Sequence, residues 1–445
     1  MIPASSPLRH RSFRRLFAAQ ILSLVGIGVM TVSLSLDAFA TGGIQAGGLL
    51  LGGILALKMV AYVLVAPLAE VLLARLPRRP TLVGIDLLRL GLVAAMGFAV
   101  APWQIMVLAF VFFAVSSGFT PLFQSVLPDL LPDEAVYARA LALSRLAYTV
   151  ESLLSPILAA AALRLVTADQ LYFLASACLA GSALTLLATR FPEGMVPRKA
   201  PFLRRLSRGL RIYALTPRLR GLFLMNLALS LALAWVLVNT VVFAGARLGE
   251  AEQYYTRLMA CYGGGAALGA LGVPRLLADR SERGVMALGL AVFAALGLTL
   301  PLLPSGQLLP LGLLWAGFGA ASSLVLTPGG LVLARSAARA DRPAVFAAQF
   351  SLSHAGWLLA YPLAGALGAW LAPEPALALL CLLSLGVTAL ALRVWPAEDP
   401  LVRPHAHPHL PADHPHLRAH PAGAGRQHEH DFHIDDLHPH WPQTA

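Results

Sequence analysis

Residues 190–220 read RFPEGMVPRKAPFLRRLSRGLRIYALTPRLR. This basic segment is the longest polar interruption before the tail, and it lies near the middle of the apolar region. Long hydrophobic blocks flank it, and the two sides resemble one another. The segment therefore predicts a connector between two halves of a membrane protein. Composition agrees: of 445 residues, 58% are hydrophobic and only 12% charged, with mean hydropathy +0.71. Apolar runs of roughly 20 residues match the hydrocarbon thickness of a bilayer. With no water in lipid for the backbone amides, such runs must be helices.

A net charge of +11 would suggest nucleic acid as the partner of a soluble chain. Here the arginines lie in short loops between apolar runs, where they orient helices, so the expected partner is the lipid bilayer and not nucleic acid. Cys178, Cys261 and Cys381 fall in separate apolar runs, which indicates neither a disulfide framework nor a thiolate cluster. The basic start (Arg9, Arg11, Arg14, Arg15) ahead of a long apolar run predicts a retained first span.

The expected fold class is an all-α membrane protein: twelve transmembrane helices in two pseudo-symmetric six-helix bundles. The spans fall at about 16–38, 46–72, 81–101, 103–126, 137–163, 169–189, 219–244, 254–277, 285–304, 308–334, 344–371 and 375–395. Residues 1–189 form the first bundle, 190–218 the linker, 219–395 the second bundle and 396–445 a tail. Arg75, Arg78 and Arg79, the linker, Arg275, Arg280 and Arg283, then Arg335, Arg339 and Arg342 share the side of the N-terminus. The opposite loops are poor in positive charge apart from Arg164 and Arg247. By the positive-inside rule both termini are cytoplasmic.

The halves repeat with an offset of about 205 residues. LLARLPRR around Arg75 and Arg78 aligns with LLADRSER around Arg280 and Arg283. Ser116-Ser117 ahead of Thr120-Pro121 matches Ser322-Ser323 ahead of Thr327-Pro328, and Pro156 matches Pro362. Paired six-helix bundles repeated along the membrane normal are the mark of a rocking transporter, with its cargo held between the halves near midplane.

On these residues the chain resembles a major facilitator superfamily permease over about residues 10–395. The stretch APLAEVLLARLPRRPTLVGIDLLR (66–89) resembles the superfamily's loop between spans two and three, Gly-x-Leu-Ala-Asp-Arg-x-x-Arg-Arg. Arg75, Arg78 and Arg79 fit it, whereas Glu70 replaces the glycine and Ala74 the aspartate, so Glu70 or Asp86 would supply the acid of the latch. Asp86 and Arg89, with Asp279, Arg280 and Arg283 in the second half, complete the expected gate. ESLLSPILAA (151–160) resembles a worn exporter motif, with Glu151 at its first glycine. Together with LPDEAVYARALALSRLAYTVESLLSP, FAAQFSLSHAGWLLAYPLAG and a histidine-rich tail, the chain resembles nickel-resistance-type exporters. That resemblance implies divalent-metal efflux driven by protons, in a bacterial cytoplasmic membrane.

Ionisable groups at bilayer depth are costly and therefore functional candidates. Lys58, Glu151 and His354 lie midway along spans two, five and eleven. The resembled fold puts Lys58 opposite the helix of His354, and Glu151 opposite that of Arg257, Cys261 and Tyr262. A carboxylate in apolar surroundings and an imidazole can both exchange protons near neutral pH. Both must be deprotonated to bind metal, so protons and a divalent cation compete for them. Lys58 is then a movable countercharge. The alternative readings are structural: Glu151 bridging Arg145, His354 bonding a neighbouring helix, and Lys58 in a fixed ion pair. Asp37 lies near the outer mouth. Gly263, Gly264, Gly265, Gly269 and Gly272 permit close helix approach and sit too deep in an apolar span to cradle phosphate.

From Pro396 onward, proline, histidine and acidic residues predict a disordered tail. It holds eleven of the thirteen histidines: His405, His407, His409, His414, His416, His420, His428, His430, His433, His438 and His440. Imidazoles one to three residues apart suit nickel, cobalt, zinc or copper(II), with nickel or cobalt the cargo the resemblance implies. No cofactor is expected, and no nucleotide-binding or hydrolytic constellation suggests an enzyme. Two alternatives remain: export of an organic amphiphile, drug or siderophore with the tail buffering metal, and a non-transporting metal sensor.

Overall fold

The computed structural model describes residues 6–65, 76–131, 157–191, 202–303, 307–338, 341–407, 410–411, 414–419 and 427–442, and isolated positions 69, 73, 136, 140, 143, 144 and 147. The first helix, α1 (Arg11–Ile44), turns into α2 (Ala46–Val65). The break is at Gly43, whose φ of 56° and ψ of −153° fall in a region essentially confined to glycine, where a residue bearing Cβ is strained by about 1–3 kcal/mol. Then come α3 (Arg78–Met96), α4 (Pro102–Ser116), α5 (Phe119–Leu130) and α6 (Gln170–Leu187). The linker carries α7 (Phe202–Leu215). The second half runs α8 (Pro217–Leu248), α9 (Ala251–Asp279), α10 (Glu282–Thr299), α11 (Leu308–Arg335), α12 (Arg342–Trp370) and α13 (Pro373–Val394). The tail adds β1 (Val402–Ala406), α14 (Pro415–Ala419) and β2 (Gln427–Asp431).

Among the described residues, seven helices are long and apolar enough to cross a membrane: α1, α2, α6, α8, α10 extended to Leu302, α11 and α13. The helices α9 and α12, of 29 residues each, have the length and carry more polar side chains. Eleven expected spans thus correspond to described helices. The fifth, 137–163, lies mostly outside the described residues. Span four is divided into α4 and α5 at Ser117–Gly118.

Helix ends follow local chemistry. Pro102, Pro217 and Pro373 open α4, α8 and α13, where a missing N–H costs nothing. Ser281 caps α10 by accepting from Gly284 N at 3.2 Å, with Glu282 in the first turn, which complements the helix dipole. Gly249, at φ 82°, ends α8 in the left-handed conformation.

The halves are built alike. In the first, α1 packs on α6, and α3 on α6 and α4; in the second, α8 packs on α13, and α10 on α13 and α11. Of the glycines expected to allow close approach, Gly265 and Gly269 do so: a Cβ on either would strike the α11 backbone at Ala316 or Ala320. Gly264 and Gly272 face open space.

The halves meet at the end remote from the linker. There α2 crosses α12 so closely that a Cβ on Gly52 would lie 2.6 Å from Tyr361 O, and one on Gly365 would lie 2.7 Å from Gly48 O. Tyr255 donates to Ser35 Oγ at 3.0 Å across the halves, while within the second half Asn239 Nδ2 donates to Ala364 O at 2.9 Å. At the opposite end, α7 lies along α12. Arg208 Nε and Nη2 grip Asp341 at 2.5 and 3.0 Å. The sequence reading treats this segment only as a basic connector; its apolar face at Ile212 and Tyr213 is buried.

Where the sequence reading expects a disordered tail, the described residues 396–407, 410–411, 414–419 and 427–442 include regular structure. β1 and β2 pair antiparallel, Val402 with Asp431 and His405 with His428. Phe432 and Ile434 are buried in the core of the helical domain, and Phe432 N donates to Leu401 O at 2.9 Å. Composition missed this because a few apolar residues, spaced to reach existing helix ends, suffice when a bundle supplies the surface.

Candidate functional site

Lys58 and His354 come together around one aromatic ring. The Lys58 Nζ lies 5.9 Å from the Tyr62 centroid and 5.3 Å from that of Phe113. His354 meets the same Tyr62 ring edge-on at 5.3 Å and stacks on Phe350 at 4.0 Å. An ammonium over such rings is stabilised by about 0.5–2 kcal/mol. The His354 Nδ1 donates to Phe350 O at 2.6 Å, which leaves Nε2 as the acceptor for a proton or cation. These groups lie midway along α2 and α12, at the seam between the halves. Tyr62 was not singled out from sequence; it lies one turn beyond Lys58, the only signal pointing to it. Glu151, the third expected member, lies outside the described residues.

Asp37 accepts a 2.6 Å hydrogen bond from Tyr172, which ties α1 to α6. Asp86 and Arg89 form a fully buried 2.8 Å pair on α3, and Ser182 donates to the second Asp86 oxygen at 2.6 Å. Arg89 also packs on the Phe112 and Phe119 rings, 5.4 and 5.0 Å away. Arg78 begins α3, and Arg79 donates to Leu187 O. Arg283 donates to Trp395 O and Leu392 O at 2.8 Å each. Asp279 and Arg280, at the end of α9, are exposed. Glu70 and Arg75 lie outside the described residues.

The tail histidines are largely gathered. His405, His407, His416 and His438 hold donor atoms within 4.8 Å of one another, and so do His405, His416, His428 and His430. Burial, then mutual repulsion among the rings, pushes His416 down to about 4. His405 falls to about 4 chiefly through burial, with the neighbouring rings adding to it. His407 is lowered for the same reasons. Burial raises the Asp435 carboxyl, but hydrogen bonds from the His438 ring and the His438 and Leu437 backbone outweigh it and bring it down to about 2. His433 stands apart, lowered by burial and by Arg218. His414 accepts from the His416 backbone at 3.3 Å, and His440 is exposed. His409 and His420 lie outside the described residues.

Asp399, unremarked in the sequence, anchors this cluster to the bundle. Its buried carboxylate meets Arg403 at 3.0 Å, Trp395 at 3.3 Å, Arg335 at 3.4 Å and Arg218 at 3.5 Å. Trp441 packs under the Arg403 and Arg218 guanidiniums at 4.8 and 5.1 Å.

The Major Facilitator Superfamily model matches residues 16–309. Among solved structures, the chain is similar to the nucleoside transporter NupG (TM-score 0.71, 14% identity, covering 87% of this chain and 100% of that one). It is also similar to an inward-facing, unoccupied bacterial homologue of the human lysosomal transporter Spinster (0.66, 15%, 87% and 96%). A third is a POT family transporter in complex with 5-aminolevulinic acid (0.67, 11%, 86% and 96%). No curated protein matches the chain in sequence.

Proposed function

The chain belongs to the major facilitator superfamily, and from that premise we propose that this multi-pass secondary transporter expels a divalent transition metal, nickel first and cobalt next, against inward-moving protons. The observation that carries the reading is the gathering of imidazoles on the same polypeptide as the transport bundle. Imidazole nitrogen without thiolate selects borderline divalent ions. Within the bundle, His354 and Glu151 exchange protons for the metal, and Lys58 supplies the countercharge that leaves when the cation arrives. Asp37 lies at the outer mouth of this path. The Asp86–Arg89 pair, Arg79 and Arg283 brace the helix ends that move as the halves rock. The arginine distribution supports a bacterial cytoplasmic membrane with linker, tail and both termini in the cytoplasm.

A second reading, export of an organic amphiphile, is favoured by Tyr62, Phe113 and Phe350 clustering around Lys58 and His354. Purified protein in vesicles under an imposed pH gradient separates the two. Nickel or cobalt movement that collapses with the gradient supports metal exchange. Failure to move any divalent ion, with expulsion of a lipophilic organic cation, selects the second reading.

A further inference from the structure

Six imidazoles of the tail converge from three elements: His405 on β1 with His407 beyond it, His416 on α14, and His428 and His430 on β2 with His438 beyond it. Their Nε2 atoms approach at 3.1 Å (His405 to His438), 3.1 Å (His407 to His438), 3.0 Å (His416 to His428) and 3.3 Å (His416 to His430). A first-row ion holds imidazole nitrogen at about 2.1 Å, so ligands at right angles sit about 3.0 Å apart and opposite ones about 4.2 Å apart. The observed approaches and the 4.8 Å span of each group accommodate that spacing.

Independent support comes from the outer ring nitrogens. His405 Nδ1 donates to Arg403 O at 3.0 Å, His430 Nδ1 to Asp431 O at 2.8 Å and His438 Nδ1 to Asp435 Oδ1 at 2.8 Å. Such partners fix the tautomer and aim the Nε2 lone pair inward, as outer-shell groups do for metal-bound histidine. In the neutral rings, the lone pairs of His405 and His438 then face each other at 3.1 Å, an arrangement that needs a cation between them. One proton would relieve one such pair, whereas four approaches around one locus suit an ion with many ligands.

We propose that His405, His407, His416, His428, His430 and His438 form a single six-coordinate, all-imidazole site for one divalent first-row cation, bound through Nε2. One ion follows from sharing: both four-histidine groups contain His405, whose only inward-facing lone pair serves one metal. Six neutral nitrogens in an octahedral set suit nickel(II) or cobalt(II), whereas structural zinc favours four ligands. The inference deepens the metal reading and rests on it only for the class of ion. It narrows the nine candidate ligands among the described residues to six, and excludes His414, His433 and His440.

The test is titration of the full chain in detergent with cobalt(II), following bound metal by equilibrium dialysis and coordination by visible absorption. One tail-bound ion with the weak d–d bands of six-coordinate cobalt is expected. That ion should be lost in His405→Ala and in His416→Ala, and retained in His414→Ala and His433→Ala. Protease resistance of the tail in each variant separates ligand loss from undocking. Two ions per tail, the intense bands of tetrahedral cobalt, no tail-bound ion, or binding indifferent to His405 and His416 would each overturn the site. None of these outcomes bears on pH-driven transport in vesicles, which tests the cargo separately.

Discussion

Arg79 and Arg283 make the same contact in the two halves: each guanidinium donates to the backbone of the sixth span of its own bundle, Arg79 to Leu187 O and Arg283 to Leu392 O. The two arginines are 204 residues apart and the two acceptors 205. The sequence alignment paired Arg78 with Arg283, one residue out of register. Helix starts agree with the corrected pairing, since α3 opens at Arg78 and α10 at Glu282. The repeat therefore includes a structural staple between spans three and six that survives although the acid of the family loop does not. Arg283→Ala removes two charge-assisted hydrogen bonds, each worth about 1.5–3 kcal/mol. It should lower the melting temperature in detergent, and Arg283→Lys should recover part of the loss. A melting temperature unchanged by Arg283→Ala would remove the staple from the fold's support.

Lys58 and His354 share the Tyr62 ring, the ammonium 5.9 Å from its centroid and the imidazole edge-on at 5.3 Å. His354→Ala should abolish pH-driven counterflow while leaving folding intact, because the ring is half-buried and its Nδ1 bonds only its own helix. Tyr62→Leu keeps the volume apolar and deletes the ring quadrupole, so transport should fall less than in His354→Ala. The check is initial transport rate in vesicles against detergent melting temperature. Normal counterflow in His354→Ala would exclude His354 from proton coupling.

Much of this architecture was legible because bilayer chemistry writes it in long runs: apolar length fixed the spans, and the Arg79 and Arg283 loops marked the repeat. The seam residues Lys58 and His354 were legible for a related reason, since ionisable groups stand out in apolar helices. The partners that define the sites were not. Tyr62 and Tyr172 look like ordinary aromatic side chains until packing brings them to His354 and Asp37. Asp399 lies in a proline-rich stretch whose composition reads as unfolded, and only tertiary proximity gathers Arg218, Arg335 and Arg403 around it. The linker helix was missed because its many arginines outweighed its buried Ile212 and Tyr213 in a reading made from charge.

Asp399 is the hinge pin of the tail. Three arginines share one buried carboxylate, and removing one partner of a buried ion pair costs about 3–5 kcal/mol. Asp399→Ala should undock the tail and expose it to protease while the helical bundle stays folded. Deletion from Leu401 onward retains the Asp399 contacts with Arg218 and Arg335; it should weaken metal resistance without eliminating transport, since the tail lies beyond the last span. Limited proteolysis and vesicle uptake check the two variants. Complete loss of transport in the truncated chain would place the tail within the transport path.

The contact of Gly365 with Gly48 closes the seam at the end remote from the linker, and it offers a means of shifting the rocking equilibrium. A Cβ at Gly365 would stand 2.7 Å from Gly48 O and 3.0 Å from Leu49 Cα, and both are backbone atoms that cannot rotate away. Gly365→Val should therefore disfavour this closed seam by more than it destabilises α12, in which valine is tolerated. Two states separated by a few kcal/mol respond strongly to such a penalty. The variant should fold, show increased labelling of a cysteine placed at Gly53 from the remote side, and turn over slowly, because the state described here is visited less often. Labelling equal to that of the unsubstituted seam, with normal turnover, would mean that α2 and α12 separate without passing through this contact.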